Sequence, residues 1–499
     1  MPHREIFRST LLLGSGALIT AVIGIVRLKA VALMVGPVGL GLLALLLNII
    51  GVAAVIAGAG LNGSGVRQLA ATRSQGTNEE LAATWRAILM ETALLAIAGS
   101  LAVWLLRRPI AEHIVLRPEL AGEVGWLAPA VGLTVVSVTA VTLLNGYRRN
   151  ADLASSQILG ALLGTVGGLL ALKAWGEDGL IAYVLLAPAS ALLVAGAYAL
   201  RLPRPPARPG ISAVRNQAAA LLRLGLPYML SGLAMNLALL ATRTMVNDAI
   251  GAVALGLFSA VWIISVTYVN VAVQAMSVDF LPHFSSVSHD RERSATLLSA
   301  QIETALLLTA PLFLVAAATA PWLLQLAYST AFMPAADLLR WQILGDVLKL
   351  VSWPLTIAML ASGRGKTFLA TEAGASFFFV AFIWLTIDRL GLIAPGIAYF
   401  AMYAVHSTLL LALASRFLHF RMSGALVLLL VAVLVAAAAV SLLAGFHPAA
   451  GLAAGIVAAM AASVLAVTRL RRLGALPAGV ERLLARIAPG DRSRVKPGA

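Results

Sequence analysis

Residues 35–45 read VGPVGLGLLAL, and residues 250–260 read IGAVALGLFSA. Gly36 matches Gly251 and Gly41 matches Gly256, 215 residues apart. Further along, NGYRRNADLAS (145–155) resembles SGRGKTFLATE (362–372), with Gly146 over Gly363 at an offset of 217. A near-constant offset at two separate places marks an internal duplication, and internal repeats are the feature that matters most in transporter folds.

The text around both copies is apolar. The chain has 499 residues, 60% hydrophobic and only 11% charged, with a mean hydropathy of +0.93. A soluble chain carries about 25% charged residues, so this composition excludes a soluble enzyme and predicts an all-α, polytopic membrane protein. A bilayer crossing takes about 20 apolar residues. On that measure spans fall near 9–35, 40–61, 84–106, 124–145, 156–174, 179–200, 222–247, 253–278, 298–320, 337–361, 368–387, 392–415, 424–444 and 450–468. That makes about fourteen. The basic start MPHREIFRST runs into the first apolar stretch, which reads as a retained span.

With the N-terminus placed in the cytoplasm, most basic residues sort to the inner side. Only Arg107, Arg108, Arg117, Lys173 and Arg389 fall outside, while Arg27, Lys29, Arg243, Arg340 and Lys349 lie within spans or at their ends. Both termini are then cytoplasmic, and the net charge of +15 reflects topology rather than nucleic-acid binding. The repeat is six spans long. The expected organisation is an N-terminal six-helix lobe (1–200), a proline-rich cytoplasmic linker (201–221) and a C-terminal six-helix lobe (222–420). Two additional helices (421–468) and a basic tail (469–499) follow, the tail carrying a short apolar stripe of Val480, Leu483, Leu484 and Ile487.

Several chemistries are excluded. Cysteine is absent, so there are no thiolates or disulfides, and the seven histidines show no ligand spacing. No GxxxxGK[ST] loop is present. No cofactor or metal is implied.

An ionisable group in mid-span costs roughly 2.5–3.5 kcal/mol and needs a water-filled cavity or a partner. Span ten, DLLRWQILGDVLKLVSWP, places Gln342, Asp346, Lys349 and Trp353 on one helical face, ahead of Pro354. Two readings stand: a cavity lining, or an Asp–Lys pair neutralised against a neighbour. Span seven carries Asn236, Arg243 and Asn247 on one face, with Arg243 either lining a cavity or snorkelling outward. Arg27 and Lys29 point about 200° apart on span one, so one cavity takes at most one of them. Glu91, Glu303 and Glu372 are carboxyls within spans. Glu303 and Glu372 are candidates for ion coupling, and Glu91 reads as structural. Gly160, Gly164 and Gly168 form a small-residue packing face.

The segments GPVGLGLLALLLN (36–48), GAGLNGSGVRQLA (58–70), GYRRNADLAS (146–155), DFLPHFSSVS (279–288) and DLLRWQILGDVLK (337–349) resemble the O-antigen translocases. So does the basic residue Lys29, seven before Gly36. The enterobacterial common antigen branch of that family fits best. It belongs to the multidrug/oligosaccharidyl-lipid/polysaccharide exporter superfamily. The resemblance covers roughly 10–415 and leaves the last two spans unmatched.

The resemblance implies two six-helix lobes in a V around a cavity that opens alternately to each face of the bacterial inner membrane. It also implies an undecaprenyl-diphosphate-linked oligosaccharide as substrate, with the prenyl tail kept in membrane lipid. The polysaccharide polymerase and chain-length regulator are the implied partners. A diphosphate calls for fixed cations shielded from water, which Arg27 or Lys29, Arg243 and Lys349 supply. Asn236, Asn247, Gln342, Asp346 and Trp353 suit hydroxyl-rich sugars. The competing readings are a cation-coupled multidrug antiporter, disfavoured by the basic lining, and an assembly enzyme, disfavoured by short outer loops. A non-transporting scaffold leaves the mid-span polar stripes unexplained.

Overall fold

In a computed structural model describing residues 2–287 and 289–472, every regular element among the described residues is helical. In chain order they begin with α1 (Pro2–Ala57), α2 (Leu61–Gln75), α3 (Asn78–Leu105) and the short α4 (Arg107–Ile110) and α5 (Ala121–Gly125). Next come α6 (Leu127–Gly146), α7 (Asn150–Trp175), α8 (Gly179–Ala199), α9 (Ile211–Ala249), α10 (Ala252–Val287) and α11 (Arg291–Ala318). The chain continues through α12 (Ala320–Ala327), α13 (Ala336–Ala361), α14 (Gly365–Leu390), α15 (Ala394–Phe417), α16 (Gly424–Phe446) and α17 (Pro448–Arg472). The tail stripe at Val480, Leu483, Leu484 and Ile487 lies outside the described residues.

Ten helical segments among the described residues are long and apolar enough to cross a membrane, or eleven with the α9 pair, which bends by 40° between Leu230 and Gly232. Three of the ten run for 36, 50 and 53 residues, well beyond the ~20 that one crossing needs. Each contains a left-handed glycine: Gly36, Gly176 or Gly391. Every expected span falls on one of the helices.

The duplication is written into the backbone. Positive φ occurs at Gly36 and Gly251, at Arg148 and Gly363, and at Gly176 and Gly391, each pair 215 residues apart. At the second pair the helix ends are the same Schellman cap. The Arg149 amide donates to the Leu144 carbonyl at 2.9 Å, and Arg364 donates to Met359 at 3.0 Å. The counterpart of Gly363 is therefore Arg148, and the sequence alignment on Gly146 was two residues out of register. Helices α7 and α14 match end to end in the same register.

The chain forms two compact units. The first comprises Met1–Thr267, Pro321–Trp341 and Gly365–Met402; the second comprises Tyr268–Ala320, Gln342–Arg364 and Tyr403–Ala499. In the first unit, Leu69, Ile88, Leu144 and Leu221 centre a buried cluster joining α2, α3, α6 and α9. Two backbone crossings leave no room for side chains. A Cβ on Gly256 would sit 1.8 Å from the Pro37 carbonyl oxygen and one on Gly41 2.7 Å from the Gly256 nitrogen, while one on Gly60 would lie 1.9 Å from the Gly225 oxygen. The repeat glycines Gly41 and Gly256 thus pack on each other.

On α7, added Cβ atoms at Gly160 and Gly164 would come 3.2 Å from the Cα atoms of Ala191 and Ala187 on α8. The small face is a helix contact, as expected. Gly164→Leu should therefore reduce the amount of protein in the membrane several-fold, read by quantitative immunoblot, because a bulky residue separates α7 from α8.

In the second unit, α17 lies so close to α11 that a Cβ on Gly455 would meet the Ala318 Cβ at 2.2 Å. Leu307 is buried with Ala466 and Leu470. The two additional helices are thus packed onto α11.

Candidate functional site

In the first unit, α1, α7 and α8 enclose an open cavity of about 590 Å³. Arg27, Thr20 and Gln157 supply its polar lining, with Gly160, Ala161 and Ala187 among the small residues that leave it wide. Among the described residues the lining contains no carboxylate. The glycine face of α7 therefore does two things: it lets α8 approach, and it opens space before the Arg27 side chain. Lys29 points elsewhere, as its angular separation from Arg27 requires. Its Nζ donates to the Leu326 carbonyl at 2.8 Å, in the last turn of α12. Such a contact suits a cation, because helix C-termini present unpaired carbonyls and partial negative charge.

Arg243 on α9 is buried against its neighbours rather than snorkelling, while Asn236 and Asn247 on the same helix are half-buried. Arg243 is 6% exposed, and one of its terminal nitrogens donates to the Ala44 carbonyl at 3.0 Å. Its Nε and the Asn48 Oδ1 have no hydrogen-bond partner among the described residues. Asn236 donates to Gly232 at 2.8 Å, and its own carbonyl accepts from Asn48 at 3.3 Å. Asn247 donates to the Val115 carbonyl at 3.0 Å. Asn236 and Arg243 therefore meet the second half of α1, whereas Asn247 meets the segment after α4.

The second unit gathers another polar group from three helices. Asp346 on α13 is fully buried and accepts a short hydrogen bond from the Tyr268 hydroxyl on α10. Lys349, one turn on, lies 5.9 Å from the centre of the Tyr403 ring on α15, within cation–π range. His406 sits beside Tyr403, with ring centres 6.2 Å apart. Gln342 is buried, and its Oε1 has no hydrogen-bond partner among the described residues. Trp353 packs on Phe280 at 5.9 Å. The span-ten face is thus assembled with aromatic hydroxyls that no spacing in the linear sequence marks out. Tyr268, Tyr403 and His406 sit on other helices, and so does Gln157 in the first unit.

The carboxyls divide differently. Glu303 lies 3.9 Å from Arg469 at the end of α17, where each side chain is partly exposed. Glu372 is partly buried on α14. Glu91 is 5% exposed, and neither of its carboxyl oxygens has a hydrogen-bond partner among the described residues. No group of His, Asp or Glu with metal-binding geometry occurs among the described residues.

The fold is shared with solved transporters. It is similar to the lipid II flippase MurJ in an inward closed conformation, with a TM-score of 0.71 over 93% of this chain and 99% of that one, at 12% identity. An inward-facing multidrug resistance MATE family transporter of the MOP superfamily gives 0.66 over 80% and 94%, at 16% identity. In sequence, the chain is 24% identical over 391 residues to the lipid III flippase of Escherichia coli (strain K12), covering 76% of this chain and 91% of that protein. The Shigella flexneri lipid III flippase matches to the same extent. The profile of one family covers residues 6–288, which includes all of the Arg27 cavity and the whole α9 stripe. By that match, the chain belongs to the polysaccharide biosynthesis protein family.

Proposed function

We propose that this protein is a flippase that moves an undecaprenyl-diphosphate-linked oligosaccharide from the cytoplasmic to the periplasmic leaflet by alternating access. One observation carries the reading: Arg27 lines an open, carboxylate-free cavity beside Thr20 and Gln157. A fixed guanidinium with no acid beside it attracts an anionic head group and repels a cationic drug. The lipid III flippases that match along most of their length support the same substrate class.

In this proposal Arg27 and Lys349 are the leading diphosphate ligands. Arg243 joins them by exchanging the Ala44 carbonyl for a phosphate oxygen, while Lys29 stays on the Leu326 carbonyl. Gln342, Asp346, Trp353, Asn236 and Asn247 face the sugars, and Glu372 or Glu303 carries a coupling ion. The 215-residue register supports two six-helix repeats, 1–200 and 222–420, joined by the linker 201–221. With each broken segment counted as two crossings, the chain has fourteen spans. Both termini are cytoplasmic, the membrane is the bacterial inner membrane, and the polymerase and chain-length regulator receive the product.

The test is translocation in proteoliposomes holding an undecaprenyl-diphosphate oligosaccharide, read by access of an impermeant sugar-modifying enzyme. Wild type is expected to move the lipid. Lys349→Ala is expected to move it at least about 10-fold more slowly, the scale of one lost charge-assisted hydrogen bond of 1.5–3 kcal/mol, with protein level nearly unchanged. Normal movement by Lys349→Ala would remove span ten from the site.

A further inference from the structure

A second concavity lies in the first unit and shares no lining residue with the Arg27 cavity. It is a groove of about 660 Å³ formed by α3, α6, α8 and the start of the linker after α8. Its walls are apolar: Leu89 on α3, Val136 and Leu143 on α6, Leu192 on α8 and Leu200 just past the end of α8. The two hydroxyls on its floor are already engaged. Thr92 and Thr139 bond each other at 2.9 Å, and Thr92 donates to the Ile88 carbonyl at 2.7 Å. An occupant therefore meets hydrocarbon. Gly196 keeps the floor open, since an added Cβ would meet only a Leu192 methyl, at 3.8 Å.

Two cations stand at this groove, Arg86 on α3 and Arg204 in the linker. Both are exposed, and neither has a hydrogen-bond or ion-pair partner among the described residues. Arg204 is held there by its surroundings. The Tyr147 hydroxyl donates to the carbonyl of Pro203 at 3.2 Å, and Leu202 is buried in the cluster beneath. Tyr147 is itself fixed by Trp85, edge-on at 5.5 Å, and by Arg73, which donates to the Tyr147 carbonyl at 2.8 Å. The linker is thus pinned back onto the helices beside the groove, and Arg204 lines it together with Arg86.

Two unpaired guanidiniums over an apolar slot match an amphiphile with a phosphate head and hydrocarbon chains. We infer that this groove binds an anionic glycerophospholipid, with Arg86 and Arg204 on the phosphodiester and an acyl chain along Val136, Leu143 and Leu192. The lipid bridges α3 and α6 to the linker, so the head of α9 is anchored to bilayer of suitable charge. Nothing in this assignment depends on the transported substrate.

The experiment is native mass spectrometry of the purified full chain, titrated with dioleoyl phosphatidylglycerol or dioleoyl phosphatidylcholine. Wild type is expected to retain the anionic lipid at least about 10-fold more strongly than its zwitterionic partner. R86Q/R204Q should abolish that preference without changing the thermal midpoint in detergent. Gly196→Leu, which fills the slot, should weaken retention of both lipids, and Tyr147→Phe should reduce the preference part-way. Equal retention of the two lipids by wild type, or a preference that survives in R86Q/R204Q, would overturn the assignment. So would displacement of phosphatidylglycerol by equimolar undecaprenyl diphosphate, because the groove would then belong to the transported lipid.

Discussion

Gly256→Val is expected to leave almost no folded protein in the membrane. At this position a Cβ would fall 1.8 Å from the Pro37 carbonyl oxygen, 2.5 Å from its carbonyl carbon and 2.9 Å from its Cα. All three atoms are backbone, so no rotamer change relieves the clash. The second half of α1 and the start of α10 must separate by more than an ångström. Overpacking typically costs 1–3 kcal/mol where side chains can shift, and a backbone-to-backbone clash lies at or beyond the top of that range. Immunoblot and size-exclusion profiles in mild detergent measure the loss. Gly251→Ala makes the comparison, since only backbone conformation opposes it: φ is +100° there, and no atom lies within 4 Å of an added Cβ. The smaller change should be tolerated better. A well-folded Gly256→Val protein would mean that this crossing is not held as tightly as it stands.

The second large effect is expected at Arg27. Arg27→Glu should stop translocation while the protein still reaches the membrane at near wild-type level. The side chain lines an open cavity and is only partly buried, so reversing its charge leaves helix packing intact. In the proposed function, the substrate's diphosphate would then meet a carboxylate in place of a cation. The change removes an attraction of about 1.5–3 kcal/mol and adds a repulsion of similar size, so the expected loss exceeds about 100-fold. Arg27→Lys keeps the charge but loses the bidentate fork, and should retain a measurable fraction of the rate. Lys29→Gln provides the contrast. Lys29 caps α12 through the Leu326 carbonyl, so its loss should lower stability more than transport. Equal rates for Arg27→Glu and wild type would take the cavity out of the substrate path.

The sequence carried the helices well because a charge-free run of bilayer length has few other fates. It carried the duplication at Gly36 and Gly251, where a left-handed backbone and a glycine coincide. It missed the register at Arg148, where an arginine takes the left-handed conformation, at a cost of about 1–3 kcal/mol, and the Schellman hydrogen bonds hold it there. Aligning glycine on glycine could not find that residue. The face of span ten was legible from helical spacing alone. Its partners Tyr268, Tyr403 and His406 were not, because which helices meet is settled by packing. Angular separation established that Arg27 and Lys29 face apart; only the placement of α7, α8 and α12 decides which one meets the cavity. Gln157 lies three residues before Gly160 on the same face, but glycine spacing by itself signals helix packing and not a polar cavity. The linker's prolines signalled stiffness and gave no sign that Tyr147 would hold Pro203.

Gly41 and Gly256 occupy the same position in the two halves of the duplicated sequence, and they touch. When a residue meets its own counterpart, the contact is the kind found on the two-fold axis of a symmetric dimer. A half-length ancestor could have paired with a second copy of itself through this glycine, before fusion made the partnership permanent. In such an ancestor one substitution would have struck both sides of the contact at once, so the two sides became free to diverge only after gene fusion.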